Sequence, residues 1–280
     1  MTKQDEFRQL HEAGCFVMPN PWDVGSAVVL EQMGFKALAT TSAGFAWTLA
    51  RPDNGVRRDE ALAHLRQIAT AARIPVNADF ENAYADDPHG VSVNVKLATA
   101  TGIAGLSVED STGDPGAPLY PFDLAVERIR AARRAIDESG TGVVLTGRSE
   151  GFVAGRPDLE ETIRRLTAYA DAGADCLYAP GICTTEQISA VVEAVAPKPV
   201  NLLVHAPFTT ASEAAGLGVR RISVGAALAR AAWAGTLAAA EEIASEGTFS
   251  RFQGSPDVNA IFRQSVAPGF FAGTRSDPAT

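Results

Sequence analysis

The chain is short of cysteine and lysine and has no long apolar run, and each shortage narrows what it does. Its three cysteines, Cys15, Cys176 and Cys183, fit neither a zinc-ligand motif nor a disulfide framework, which points to a cytoplasmic setting. Cys15 and Cys176 lie in apolar runs and are expected to be core thiols, whereas Cys183 falls near a predicted strand end. The four lysines are Lys3, Lys36, Lys96 and Lys198. None is predicted at the C-terminal end of a strand, which argues against a Schiff-base aldolase. No apolar run reaches the roughly 18 residues of a membrane span. The polar stretch Met1 to His11 lacks the apolar segment of a signal peptide. A net charge of −9 disfavours nucleic acid and anionic membranes as partners. It does not disfavour small anions, because a local basic group overrides the global sign. No GxGxxG follows the first predicted strand, which weakens a dinucleotide-binding reading.

What is present is a repeated pattern. With 46% hydrophobic residues in 280, the chain has ample material for one large core. Eight short apolar runs read as strands: Phe16–Pro19, Ala37–Thr41, Val76–Asp79, Gly105–Glu109, Val143–Gly147, Cys176–Ala179, Val200–Val204 and Arg221–Val224. Between them lie stretches of helical period, such as Leu62, Leu65, Ala69 and Ala72, or Ile188, Val191, Val192 and Val195. Thr184 with Gln187, Asp158 with Glu161, and Thr210 with Glu213 fit capping boxes. Gly34, Gly102, Gly173 and Gly218 each follow an apolar helix by the spacing of a left-handed helix stop. Alternating strand and helix with apolar strands means a parallel sheet. Eight such units favour an α/β fold of the (β/α)8, TIM-barrel type, with the Ala-rich segment from Ala226 onward as a C-terminal helical extension. Residues 1–267 are expected to form one domain, and 268–280, rich in Gly, Pro and Ser, a flexible tail.

Barrel enzymes carry their chemistry at the C-terminal ends of the strands. There the sequence places Asn20 and Trp22, then Ser42, Ala43 and Gly44, then Asp79 and Glu81, then Glu109, Asp110 and Ser111. Arg148, Ser149 and Glu150 follow, then Tyr178, Asn201 with His205, and Ser223. Carboxylates crowded in a low-dielectric mouth need a cation or protons to coexist, and a hard divalent ion with oxygen ligands fits. Taken singly, each is equally well a loop-start cap or an ion-pair partner; their joint position on adjacent strands three and four favours the ion. Arg148 offers a planar fork for a carboxylate, or a structural pair to Glu150 or Glu109. The Ser42–Ala43–Gly44 turn presents backbone N–H groups to an oxygen. His205 and Tyr120 are candidate acids or bases, and Asn201 and Trp22 candidate substrate contacts.

These segments resemble the isocitrate lyase / phosphoenolpyruvate mutase superfamily. Asp79-Phe80-Glu81-Asn82-Ala83-Tyr84-Ala85 is similar to its metal-binding D-x-D-x-G-Y-G segment. Val108-Glu109-Asp110-Ser111, Thr40-Thr41-Ser42-Ala43-Gly44, Gly147-Arg148-Ser149-Glu150-Gly151-Phe152 and Gly218-Val219-Arg220-Arg221-Ile222-Ser223-Val224-Gly225 match in order. The resemblance runs from about Phe16 to Arg263. It implies Mg2+ (or Mn2+) held by Asp79, Glu81 and Glu109, partly through water, with Asp53 nearby. It further implies a substrate carboxylate on Arg148, and Ser42 and Gly44 on oxygens of the same unit. A last helix swapped between subunits of a homodimer or homotetramer is also implied, here around Trp233–Ser245.

The departures are specific. The family's lyases for isocitrate and methylisocitrate carry a K-K-C-G-H type loop, whereas residues 111–120 contain no Cys, Lys or His. Ala83 and Ala85 replace the two glycines of the metal segment, and Glu81 replaces an aspartate. The resulting expectation is a metal-dependent carbon–carbon lyase or decarboxylase of a small 2-oxo or 2-hydroxy acid, working through an enolate. Alternatives on the same scaffold are a P–C bond mutase or hydrolase, and a non-catalytic binder of 2-oxo acids.

Overall fold

Local chemistry sets the element boundaries. The computed structural model describes residues 1–265, so the expected tail at 268–280 lies outside the described residues. The eight strands are β1 (Phe16–Met18), β2 (Leu38–Ala39), β3 (Val76–Asp79), β4 (Gly105–Glu109), β5 (Val144–Arg148), β6 (Cys176–Tyr178), β7 (Val200–Leu203) and β8 (Arg221–Ser223). All pair in parallel, in the order β1-β8-β7-β6-β5-β4-β3-β2. The ring is drawn together between β1 and β2 by the Ala39 N–H, which donates to the Pro19 carbonyl at 3.1 Å. This is the expected (β/α)8 barrel. Thr184 and Thr210 form the expected capping boxes, and Asp158 caps its helix through the Glu161 N–H. Gly34, Gly102, Gly173 and Gly218 take the left-handed conformation, with φ between 89° and 102°.

The strands alternate more than their apolar look suggests. Residues i and i+2 share a face of a strand. One face supplies Ala78, Leu106, Val108, Leu145, Leu177, Leu202 and Ile222 to the core between sheet and helices. The other face is largely polar: Asn77, Ser107, Thr146, Asn201, Arg221 and Ser223 are all buried. Most barrels fill this interior with branched apolar side chains. Here it opens into a cavity of about 530 Å³.

Helix α1 (Lys3–Leu10) closes the opposite end. Its Phe7 is fully buried and lies so close to Gly105 that a Cβ there would come within 2.5 Å of the ring. Lys3 Nζ donates to the carbonyls of Ala69 and Ala72 at 2.8 and 2.5 Å. His11 Nδ1 donates to the Phe7 carbonyl at 2.7 Å, which leaves Nε2 to accept from Arg221 Nη1 at 3.2 Å. The imidazole must therefore be neutral in the fold. Burial first, and then the Arg221 charge, push it down to about 3. A group depressed in this way contributes its stability fully above its unfolded pKa of about 6.5 and loses it as pH falls. Between pH 6.5 and 5 the expected loss is about 2 kcal/mol. His11→Gln should remove that portion of the pH dependence when urea unfolding is compared at pH 7.5 and 5. An unchanged pH dependence would contradict the assignment.

The C-terminal extension is α10 (Ala227–Glu246), a 3-10 turn at Ser250–Phe252, and α11 (Val258–Ser265). Within the single chain α11 lies on α2 (Val24–Gln32), where Gln32 Nε2 donates to the Ile261 carbonyl at 3.3 Å.

Candidate active site

The cavity opens at the C-terminal strand ends, where β3, β4 and β5 stop side by side. Arg148, the last residue of β5, is the hub. Its Nη1 reaches Asp79 Oδ1 at 3.1 Å and Glu109 Oε2 at 3.3 Å, and its Nε donates to Glu150 Oε1. Both structural pairs weighed for Arg148 from sequence are therefore present, together with a third. Its guanidinium also lies 5.1 Å from the Tyr178 ring centroid. Asp79 Oδ2 accepts from both the Ser42 N–H at 2.9 Å and the Ser42 hydroxyl at 2.8 Å. The same hydroxyl lies 3.5 Å from Asp53 Oδ1.

Five carboxylates, Asp53, Asp79, Glu81, Glu109 and Glu150, thus gather around one guanidinium. Burial, opposed by Arg148 but reinforced by Glu150, Asp79 and Glu81, holds the Glu109 carboxyl well above the usual carboxylate range. Burial and then the Asp79 charge raise Glu81 to about 7. Asp53 is raised by partial desolvation and by Asp79, and Glu150 by burial. Arg148 is raised too: burial opposes its charge, but Glu150 and Glu109 outweigh burial. Such a cluster calls for added positive charge. Among the described residues, no three Asp, Glu, His or Cys side chains converge closely enough to hold a metal directly. That donor set suits a hard ion such as Mg2+, which takes one or two carboxylates and keeps its waters. Asp79 lines the cavity and would be the direct ligand, with Asp53 beside it on the same Ser42 hydroxyl. Glu81 and Glu109 stand behind it, where they would act through water.

The other expected residues divide. Ser42, Ala43, Asp53, Asp79, Arg148, Asn201 and His205 all line the cavity. Glu109 reaches it only through Arg148, and Glu81 borders a smaller space with His64 and Tyr84. Trp22, Gly44 and Tyr120 are not brought to it. The Gly44 N–H donates to Thr41 Oγ1 at 3.3 Å, capping α3 (Ser42–Thr48). A Cβ on Gly44 would lie 2.6 Å from Thr41 Cγ2 and 2.9 Å from Trp22 Cβ. Gly44 and Trp22 therefore set the close packing beneath Ser42. Gly44→Ala should destabilise the fold by about 1–3 kcal/mol and raise KM for substrate by displacing Ser42; wild-type kinetics and melting in that variant would refute this.

Tyr120 has a different duty from the acid–base role expected of it. Its hydroxyl donates to Asp86 Oδ1 at 2.6 Å and accepts from Asn82 at 3.2 Å, and Arg128 lies 3.9 Å above its ring. Arg128, 1% exposed, donates to the carbonyls of Asn82, Ala85 and Asp86. Asn94 takes the carbonyls of Ala83 and Tyr84. These bonds hold a strained turn: Glu81, Ala83 and Tyr84 adopt φ of 47°, 58° and 53°, a region that costs non-glycine residues on the order of 1 kcal/mol each. Ala83, in place of a family glycine, is thus held in the left-handed region by these bonds. Behind Glu150, Asp110 accepts from the Glu150 N–H, from Arg165 at 3.0 Å and from Tyr169 at 2.6 Å. Arg128, Asn94, Arg165 and Tyr169 all lie on helices in amphipathic stretches, and no local sequence signal separates them from ordinary helix polar residues.

The phosphoenolpyruvate phosphomutase family model matches residues 7–244. The chain belongs to this family. It is therefore a member of the isocitrate lyase / phosphoenolpyruvate mutase superfamily, as the strand-end motifs implied. A candidate lyase/mutase from Burkholderia cenocepacia J2315 is similar at 45% identity and a TM-score of 0.92, covering 95% of this chain and 97% of that one. An oxaloacetate acetylhydrolase in complex with oxalate shows 28% identity and a TM-score of 0.83, over 94% of both chains. Among curated relatives, an oxaloacetate decarboxylase of Pseudomonas putida is 29% identical over 67% of this chain and 65% of its own length. The family's named members here are lyases, decarboxylases and phosphonate enzymes. No helix among the described residues is long and apolar enough to cross a membrane.

Proposed function

We propose that this protein is a cytoplasmic Mg2+- or Mn2+-dependent lyase or decarboxylase that breaks a carbon–carbon bond in a small 2-oxo or 2-hydroxy carboxylic acid through an enolate. The observation that carries this reading is the grouping of Asp79, Glu109 and Glu150 on Arg148 at the mouth of a cavity large enough for such an acid. The similarity to an oxaloacetate decarboxylase and an oxaloacetate acetylhydrolase supports it. A divalent ion, when bound, supplies Lewis-acid stabilisation of negative charge developing on the substrate.

The chain's own residues do the rest. Arg148 offers guanidinium N–H groups to the substrate carboxylate and supplies the positive charge around which Asp79, Glu109 and Glu150 gather. Ser42 fixes both the position and the rotamer of Asp79 through two bonds. Ser111 and His205 line the cavity and are the side chains placed to pass a proton to carbon. The 111–119 segment folds back on itself through the Ser111–Leu119 bridge beside the mouth and helps exclude water. A homodimer or homotetramer is part of the proposal: α10 exposes Trp233, Leu237 and Ile243, apolar surface of the kind that a partner covers.

A second reading, P–C bond chemistry, is favoured by the match to the phosphomutase model and by a phosphonopyruvate hydrolase at 26% identity and TM-score 0.83. Calorimetric titration with oxalate, a planar mimic of the pyruvate enolate, tests the site. Binding is expected with Mg2+ and not with EDTA; equal affinity in both would remove the metal from the account. Phosphate release from phosphonopyruvate, with no cleavage of carbon acids, would establish the second reading.

A further inference from the structure

Arg221 is a fully buried cation that the proposed reaction does not use. It is 1% exposed and lines the cavity from β8. Its Nε donates to Asn201 Oδ1 at 2.8 Å, its Nη2 to Thr146 Oγ1 at 3.0 Å and its Nη1 to His11 Nε2 at 3.2 Å. All three acceptors are neutral, and among the described residues no carboxylate comes within ion-pairing distance of it. Buried charges in proteins are ordinarily paired, because an unpaired one keeps the full cost of leaving water.

The molecule's other deep arginines show what is missing. Arg148 has three carboxylates, and Arg165 has Asp110. Arg128 is closed in by three backbone carbonyls and does not line the cavity. Arg221 alone of these four faces open space without a counter-charge. Its partner Thr146 stands two residues before Arg148 on β5, so its head sits one inward-facing layer, about 7 Å, below the Arg148 hub.

We infer that the floor of the barrel cavity is a small-anion site, in which Arg221 takes a halide or a carboxylate below the reaction centre. The anion arrives free from solution or as the far carboxylate of a ligand held above by Arg148. The inference does not depend on which bond the enzyme breaks.

The test is thermal unfolding of the full-length, metal-free protein in chloride, bromide or formate, against bulky gluconate at matched ionic strength. A midpoint rise of about 3 °C or more is expected at ten times the anion's Kd, and Arg221→Met should abolish it. Because that variant can fail to fold, Asn201→Asp provides the second arm: it sets a carboxylate against Arg221, so it should melt higher in gluconate and no longer respond to anions. Bromide soaked into crystals should give an anomalous peak at the guanidinium. If only dicarboxylates such as malate give an Arg221-dependent rise, the occupant is the ligand's own carboxylate. Equal anion responses in wild type and Asn201→Asp, with no bromide at Arg221, overturn the inference.

Discussion

Arg148→Met should both disable and destabilise the protein. The side chain neutralises Asp79, Glu109 and Glu150, and breaking a buried ion pair from one side typically costs about 3–5 kcal/mol. Part of that cost is relieved as the stranded carboxyls take up protons, for burial already holds Glu109 and Glu150 above their usual range. The variant is thus expected to regain stability as pH falls from 8 to 6, since a carboxyl raised in the fold favours folding where it stays protonated. Its kcat/KM should fall by about a hundred- to a thousandfold, the usual effect of losing a donor aimed at developing charge. Arg148→Lys should rescue stability more than activity, because a point charge restores neutrality without the fork. Urea unfolding at the two pH values, beside steady-state kinetics, checks both halves.

Asp79→Asn carries the opposite signature. It removes one negative charge from a cluster of five carboxylates while keeping an acceptor for the Ser42 N–H. Stability should hold or rise, because Asp79 contributes to raising Glu81, Asp53 and Glu109. Activity should drop about a thousandfold, equivalent to several kcal/mol of lost Lewis-acid stabilisation, and Mn2+ affinity followed by electron paramagnetic resonance should fall with it. Undiminished turnover in this variant would remove Asp79 from the metal role. Together the two substitutions separate the charge balance around Arg148 from the metal role proposed for Asp79.

Much of this site is legible before any coordinate is known, for a physical reason. Strand ends in a barrel converge, so Asp79, Glu109 and Arg148, distant in sequence, are neighbours as soon as the eight runs are counted as strands. Glycine stops and capping boxes fix those runs locally. Three things resisted that reasoning. Tyr120 sits in a loop whose direction depends on Asp86 and Arg128, and no local pattern encodes that direction. Gly44 looks like an anion-binding turn, but close approach to Thr41 and Trp22 explains it. The polar barrel interior was hidden because Ser107, Thr146 and Asn77 are small and the strands around them are otherwise apolar. Only the observed two-residue alternation shows that they face the axis with Arg221.

Carbon–carbon cleavage that depends on a divalent ion is tested by a direct assay. Purified protein would be incubated with oxaloacetate, 2-alkylmalates, methylisocitrate, isocitrate and phosphonopyruvate, each with Mg2+ and with EDTA. Pyruvate, glyoxylate, CO2 and phosphate would then be quantified. Release of a 2-oxo acid, with or without CO2, is expected from at least one carbon acid in Mg2+, abolished by EDTA and by Asp79→Asn. Turnover that survives EDTA would contradict it, as would 2-oxo acid binding with no cleavage of any substrate in the panel.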